Sequence, residues 1–321
     1  MLDSVTVVPS ERVPELLPMA ACIEAMEEAF RSLARGEVIQ PLRTVLQLPN
    51  EVGSFLVKPG AILKPGTLGA KLLTLFPDNH RKGLESHQGI LVLFDSGDGT
   101  LSGLIDAAPV TAIRTAAASA AATRLLAREG ADELAILGSG VQARSHLEAV
   151  LHVRPLRRVR VWSPTTAHRE FFAHEASRRH SVPVQAAGSP AEAVRGASII
   201  CTVTASPKPV IERGWIAEGA HINAVGASTA RTRELDTETV RSARFYADSR
   251  ESALAEAGDL LIPIAEGAVE DSHLIAELGE VLEGEAPGRG SPKEITIFKS
   301  LGMAMQDLAA ARVILDRSSG S

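Results

Sequence analysis

The sequence predicts an α/β protein, with a doubly wound parallel-sheet domain and a second domain of α+β character. Three observations lead there. Residues 133–143, ELAILGSGVQA, run from a short apolar stretch through closely spaced glycines into a helical pattern. Downstream, apolar strand patterns alternate with amphipathic helices, as a parallel sheet covered on both faces requires. Upstream, short strands broken by Pro and Gly follow one another without helices, the pattern of a largely antiparallel sheet or an open barrel. A chain of 321 residues has room for about two such domains.

Composition narrows the function classes. Hydrophobic residues make up 45% and charged residues 22%, as in ordinary globular proteins. A formal charge of −6, with no basic cluster interleaved with aromatics, argues against nucleic acid as a partner. The N-terminal MLDS lacks the basic-then-apolar order of a signal peptide, and no apolar run is long enough to span a membrane. Cys22 and Cys201 form neither a disulfide framework nor a metal-spacing motif. The expectation is a cytoplasmic protein without a metal site or membrane contact.

Taken in order, 18–35 is the first helix. Met19, Cys22, Ile23, Met26, Phe30 and Leu33 recur at helical spacing, opposite Glu24, Glu27 and Glu28, and Gly36 stops it. Strands follow at 42–48, 54–58, 68–76, 89–94 and 101–107. Lys71, in LGAKLLTLFP, either snorkels to a sheet edge or meets an anion. Arg43, in PLRTVLQLP, shares a strand face with Gln47 and reads as solvated, and His87, in ESHQG, reads as a loop histidine. A helix then runs from Pro109 to a stop at Gly130, and its alanine triplets let other backbones come close. Between Asp106 and Arg124 its one charge is Arg114. A guanidinium buried there needs a carboxylate, supplied by an internal Asp or Glu or by a ligand.

The stretch at 133–143 fits G-x-G-x-x-A in the strand–turn–helix setting that a dinucleotide fingerprint requires. Gly138 would make the tight turn, Gly140 would admit a pyrophosphate, and Ala143 would allow close packing. Ser139, Val141 and Gln142 complete the segment at the N-terminus of a helix over 141–153. Strands at 158–162, 184–186, 198–203, 220–225 and 244–247, with helices at 165–179 and 190–195, continue the alternation. Thr204 and Gly226 follow strand ends, where such sheets bind ligands. An NAD-type site places an acid at the end of the second strand. Here Ser163, Thr165 and Thr166 bring hydroxyls instead, Arg169 is near, and the first acid is Glu170. NADPH is the expected cofactor and NADH the alternative. A last helix at 301–314 carries Asp307, either paired with a basic group of the first domain or the single polar residue of a buried helix. Its return to the first domain would make that domain discontinuous, 1–122 with 302–321, around 123–301.

These segments together resemble the ornithine cyclodeaminase/μ-crystallin family over nearly the whole chain. The resemblance rests on PLRT around Arg43, AKLLTLFPDN around Lys71, SHQGILVLFD, AIRTAAASAAAT around Arg114, LGSGVQA, INAVGAS…REL and KSLGMAMQDLAAA. It implies a Rossmann domain beside a substrate-binding and dimerisation domain, a homodimer joined through the latter, and a small amino- or imino-acid substrate between the two. It further implies that Arg43, Lys71 and Arg114 hold the substrate carboxylate beside the nicotinamide, and that Gly302 of KSLGMAMQ belongs with the cofactor residues.

One departure matters. Cyclodeaminases of the family carry an acid in a G-G-D stretch, and aligning GASTARTREL on it puts Ser228 at that position. A serine hydroxyl is no general base at neutral pH. Gly-Ala-Ser resembles the μ-crystallin and imino-acid reductase branches. The expectation is therefore an NAD(P)H-dependent reductase of a cyclic imino acid, Δ1-pyrroline-2-carboxylate or Δ1-piperideine-2-carboxylate, giving proline or pipecolate. Arg43 and Arg114 would clamp the carboxylate, Lys71 would orient the substrate and deliver a proton, and Ser228 would hydrogen-bond near the imine nitrogen. Ornithine cyclodeamination, an open-chain amino-acid dehydrogenase such as alanine dehydrogenase, and a binding protein without turnover are the alternatives.

Overall fold

A computed structural model describes residues 5–319, so the N-terminal MLDS and residues 320–321 of the expected first domain lie outside the described residues. In chain order the first elements are β1 (Thr6–Val8), α1 (Val13–Leu16), α2 (Met19–Ala34), β2 (Val38–Ile39), β3 (Thr44–Gln47) and β4 (Ser54–Ile62). Then come β5 (Thr67–Leu75), β6 (His87–Phe94), β7 (Leu101–Asp106) and the long α3 (Ala107–Leu126). The alternating region holds β8 (Glu133–Leu137), α4 (Val141–Val153), β9 (Arg158–Trp162), α5 (Thr166–Arg179), β10 (Val184–Ala186), α6 (Pro190–Val194) and β11 (Ile199–Thr202). It continues with β12 (His221–Ala224), α7 (Thr237–Arg241), β13 (Arg244–Ala247), α8 (Arg250–Glu256) and α9 (Gly258–Ala265). The chain closes with β14 (Leu274–Glu277), α10 (Leu278–Leu282), β15 (Thr296–Lys299) and α11 (Ala304–Ser319). Contacts separate the described residues into two compact units, one up to Thr115 plus those from Gly302 on, the other Ala116–Leu301.

The first unit is built on a sheet in the order β1-β7-β6-β5-β4-β2, with β3 also paired to β4. It is antiparallel apart from β1, which the sequence reading missed and which lies parallel to β7. Alternation buries one face: Ser54, Lys58, Gly60 and Ile62 on β4, and Thr67, Gly69 and Lys71 on β5. Helix α11 covers this face at close range. A Cβ on Gly60 would lie 3.0 Å from Ala304 Cβ, and one on Gly69 3.0 Å from Leu308 Cδ2. Strand β4 runs beyond the expected end at Lys58, straight through Pro59. On that edge β3 pairs with Ser54–Val57 and β2 with Ala61 and Ile62, so Pro59 falls where no partner strand asks for an N–H.

Arg43 corrects an expectation. It precedes β3 and is only half exposed, so it does not share a solvated strand face with Gln47. The β3–β4 ladder begins at Thr44↔Val57, which leaves Arg43 just outside it on the Lys58 side.

The second unit is a parallel sheet in the order β10-β9-β8-β11-β12-β15-β13-β14. Every residue of β8 and β11 is buried, as expected of strands covered on both faces. Strand order reverses between β8 and β11, the crevice where open α/β sheets take ligands. The sequence reading missed β14 and β15, of which β15 is inserted between β12 and β13. Four residues, TIFK, are too few to show a period. The last helix starts at Ala304 rather than 301, because Gly302 turns the chain at φ 79°. No helix among the described residues is long and apolar enough to cross a membrane.

Candidate active site

Strands β4 and β5 place Lys58 and Lys71 directly opposite each other, on the face beneath α11. Like charges in that position repel, and both side chains are buried. Helix α3 brings Arg114 to the same place and α11 brings Asp307, which is 1% exposed. Lys71 Nζ donates to Thr111 Oγ1 at 2.5 Å and to Asp307 Oδ1 at 3.2 Å. Arg114 donates from Nε to Asp307 Oδ1 at 2.9 Å and from Nη1 to Gln306 Oε1 at 2.7 Å. Lys58 Nζ donates to the carbonyl oxygen of Gly302 at 3.0 Å. Glycine is favoured at 302 because the backbone turns there at φ 79°, a conformation that L side chains rarely adopt.

The electrostatics follow from this crowding. Burial opposes ionisation of Asp307, yet Arg114, Lys71 and Lys58 hold its carboxyl below the ordinary range. Burial pulls Lys71 down to about 8 against the attraction of Asp307. Burial and then Lys71, with Arg114 and Arg43 adding to it, pull Lys58 down to about 7. Asp307 Oδ2 and Gln306 Nε2 are buried without a hydrogen-bond partner. The cluster thus holds more cationic groups than carboxylate, together with an unused amide donor on Gln306, and suits an anionic ligand.

In the second unit β8 runs into Gly138 at φ 121°, where a Cβ would come within 2.7 Å of Val203 O. Gly140 is the N-cap of α4 with no side-chain cap, and a Cβ built on it meets nothing within 4 Å. The first-turn N–H groups therefore have an open approach, and Ala143 packs buried behind them. Val141 is exposed, and Gln142 Oε1 is buried without a partner. Ser139 Oγ donates to Ser163 Oγ at 2.9 Å, which ties the glycine turn to the end of β9. Arg169 Nη1 donates to Ser163 O at 2.9 Å, while Thr165 and Thr166 are exposed and Thr165 does not cap α5. These features fit the pyrophosphate and ribose of a dinucleotide.

Beyond β11 and β12 the loops are held from below. Thr204 donates from N and Oγ1 to Glu234 Oε1 at 2.7 and 2.6 Å, and Gly226 N donates to Glu234 Oε2 at 2.7 Å. Burial and then Asp259 push the Glu234 carboxyl up. Asp259 accepts the N–H groups of Glu234 and Leu235 at 2.8 and 3.0 Å and pairs with Lys299 at 2.8 Å. Ser228 is half-buried in the loop after β12.

The family model for ornithine cyclodeaminases and mu-crystallins matches residues 4–321. The chain belongs to the ornithine cyclodeaminase/mu-crystallin family. Within this family it is 41% identical over 297 residues to the ketimine reductase mu-crystallin of Mus musculus, covering 92% of this chain and 91% of the relative. A Δ1-pyrroline-2-carboxylate reductase of Bacillus cereus (strain ZK / E33L) is 34% identical over 305 residues, covering 95% and 94%. The solved structure of the Thermococcus litoralis Δ1-pyrroline-2-carboxylate reductase, in complex with NADH and L-proline, superposes with a TM-score of 0.95 at 35% identity, covering 98% of each chain.

Against the residues singled out from sequence, the fold brings Lys71, Arg114 and Gly302 together around Asp307, with Arg43 near enough for its charge to act on Lys58. Lys71 does not snorkel, and the carboxylate that meets Arg114 belongs to Asp307. Gly302, expected beside the cofactor, stands in this cation cluster. His87 opens β6 and hydrogen-bonds with Ser86 Oγ at 3.1 Å. The sequence reading missed Lys58, Glu234, Asp259 and Lys299. A signal was present for two of them: Lys58 is the one charge in residues 52–63, and Lys299 the one charge in 295–306.

Proposed function

We propose that this chain is an NADPH-dependent reductase of a cyclic imino acid, Δ1-pyrroline-2-carboxylate or Δ1-piperideine-2-carboxylate, yielding proline or pipecolate. The observation that carries this reading is the buried cluster of Lys58, Lys71 and Arg114 around the single carboxylate of Asp307. Its family relatives include reductases of ketimines and of Δ1-pyrroline-2-carboxylate. The first unit binds substrate and the second binds the dinucleotide.

Arg114 keeps guanidinium N–H groups beyond those given to Asp307 and Gln306, and with Arg43 it holds the substrate carboxylate. Such positioning lowers the barrier by several kcal/mol. Lys71 has three ammonium donors, two of them engaged by Thr111 and Asp307, and the third is left to orient the substrate and give a proton to the imine nitrogen. Ser228 supplies a neutral hydroxyl near that nitrogen, where an anion would hinder an incoming hydride. The nicotinamide, when bound, supplies that hydride. Gly138, Ser139, Gly140, Val141, Gln142 and Ala143 would hold its pyrophosphate. Ser163, Thr165, Thr166 and Arg169 would hold a 2′-phosphate, and Thr204 and Gly226 would line the nicotinamide side.

We read the protein as a cytoplasmic homodimer. Both cysteines are buried free thiols, as a reducing compartment favours. The outer face of the first unit's sheet carries Leu46, Phe55, Leu68 and Ile90, each at least 36% exposed, and a second copy would cover it. The test is an NADPH-oxidation assay with both cyclic imines beside an ammonia-release assay with ornithine. NADPH oxidation with little ammonia release is expected, and Arg114→Lys should lower kcat/KM at least tenfold because it loses the planar fork. Rapid ammonia release with inert cyclic imines would make the chain a cyclodeaminase.

A further inference from the structure

The cation cluster contains a lysine for which the carboxylate clamp has no use. Lys58 is 8% exposed, its ammonium contacts a carbonyl oxygen rather than a carboxylate, and β4–β5 register fixes it opposite Lys71. The groups around it are few and identifiable. Lys71 comes from β5, Arg114 from α3, Asp307 from α11 and Arg43 from the segment before β3. Cys22 on α2 lies near Arg114 and Asp307, but burial pushes its thiol up to about 12, so it contributes no charge. His87 on β6 is held below its ordinary range by burial and by Lys71, and is neutral above that range.

With every lysine and arginine charged, the cluster would confine the charges of Lys58, Lys71 and Arg114 against Asp307 alone. Buried cations in excess are relieved in one of two ways, by losing a proton or by gaining an anion. Lys71 and Arg114 have the carboxylate of Asp307 to keep them charged. Lys58 has only the Gly302 carbonyl, so of the three its charge is the least compensated. Gln306 Nε2, a buried donor without a partner, is placed to meet an anion at the same site.

We propose that Lys58 is the proton-linked member of the carboxylate site: an anionic substrate binds together with one proton, which comes from solvent and is held on the Lys58 ammonium. The proton forms an N–H bond on the amine lone pair, and no other bond changes. This rests on the carboxylate-binding reading of the cluster and adds the group that couples binding to pH. It also gives the site a means of avoiding a buried, unmatched charge when substrate leaves.

The experiment uses the full chain saturated with NADP⁺ and, as probe, pyrrole-2-carboxylate, a planar carboxylate whose ring nitrogen does not titrate near neutrality. Calorimetric titration in buffers of different ionisation enthalpy reads the protons taken up. Uptake approaching one proton per site is expected at pH 8 and little at pH 6, with affinity about tenfold weaker at pH 8 than at pH 6. Lys58→Met should lose most of the uptake and the tenfold pH effect. Methionine matches the length of the neutral amine that the proposal assigns to the free site, and thermal melting of the variant at pH 8 checks that the fold survives loss of the Gly302 hydrogen bond. Lys58→Arg, charged throughout, should bind at pH 8 as tightly as at pH 6 with little uptake. Wild-type uptake and pH profile retained in Lys58→Met would assign the proton to Lys71 and overturn the proposal, as would failure of the wild type to bind the probe. The reading of function stands or falls separately: NADPH oxidation without proton uptake keeps the reductase and removes Lys58, and uptake without turnover does the reverse.

Discussion

Asp307→Asn is the perturbation that the first unit should feel most. Asp307 Oδ1 lies 3.2 Å from Lys71 Nζ and 2.9 Å from Arg114 Nε, with all three side chains at most 5% exposed. At an effective dielectric of about 20, each contact has a gross attraction of about 5 kcal/mol. Desolvation offsets much of that, but removing one partner of a buried pair leaves the other charge stranded, at a cost of about 3–5 kcal/mol. Asparagine keeps the volume and one oxygen for Arg114, so a loss near about 3 kcal/mol is expected at pH 7. The loss should shrink as pH rises. Without the carboxylate, Lys71 falls further below its value of about 8 and sheds its proton more readily. A lysine with a depressed folded pKa gains stability as pH rises toward its unfolded value, and the variant has the larger depression. Urea unfolding followed by far-UV circular dichroism at pH 7 and pH 9 measures both effects. A difference below about 1 kcal/mol at pH 7, or one that fails to narrow by pH 9, would refute the view that Asp307 neutralises the cluster.

Two further predictions concern the second unit. Ser163→Asp places a carboxylate at the end of β9, where the 2′-phosphate of NADPH is proposed to lie, and should reverse the cofactor preference toward NADH. Fluorescence titration with both dinucleotides checks it, and a wild-type protein that prefers NADH would remove the 2′-phosphate reading. Burial holds His146 at about 4 and His221 at about 3, so both are neutral when folded and must take up protons when unfolded in acid. Their contribution is complete above about pH 6.5 and is lost as pH falls from there toward 4 and 3, by about 2 kcal/mol each at pH 5. Denaturant melts from pH 8 to pH 5 should show this slope, and His146→Gln should remove about half of it.

What the sequence by itself determined lies in local pattern. The G-x-G-x-x-A turn needs no more than residues 133–143, because a tight turn, a close backbone approach and a small packing residue are demands on consecutive positions. The alternation of strands and helices, the absence of an acid after Trp162 and the serine at 228 are likewise readable in order along the chain. Lys71, Arg114 and Asp307 stood out because each is a charge in an apolar run, but the sequence left open what each would meet.

Tertiary structure decided the partners, because pairing depends on register and on which helix returns. Lys58 sits beside Pro59, and only the β4–β5 ladder shows that it faces Lys71. Asp307 is 193 residues from Arg114 and 236 from Lys71, and α11 must fold back over the sheet before its carboxylate can serve either. Glu234 comes from a loop, Asp259 from the first turn of α9 and Lys299 from the end of β15, and they become a network only when β15 is inserted beside β12. A buried charge announces in sequence that it needs a counterion, but the identity of that counterion is set by the packing that excludes water from both.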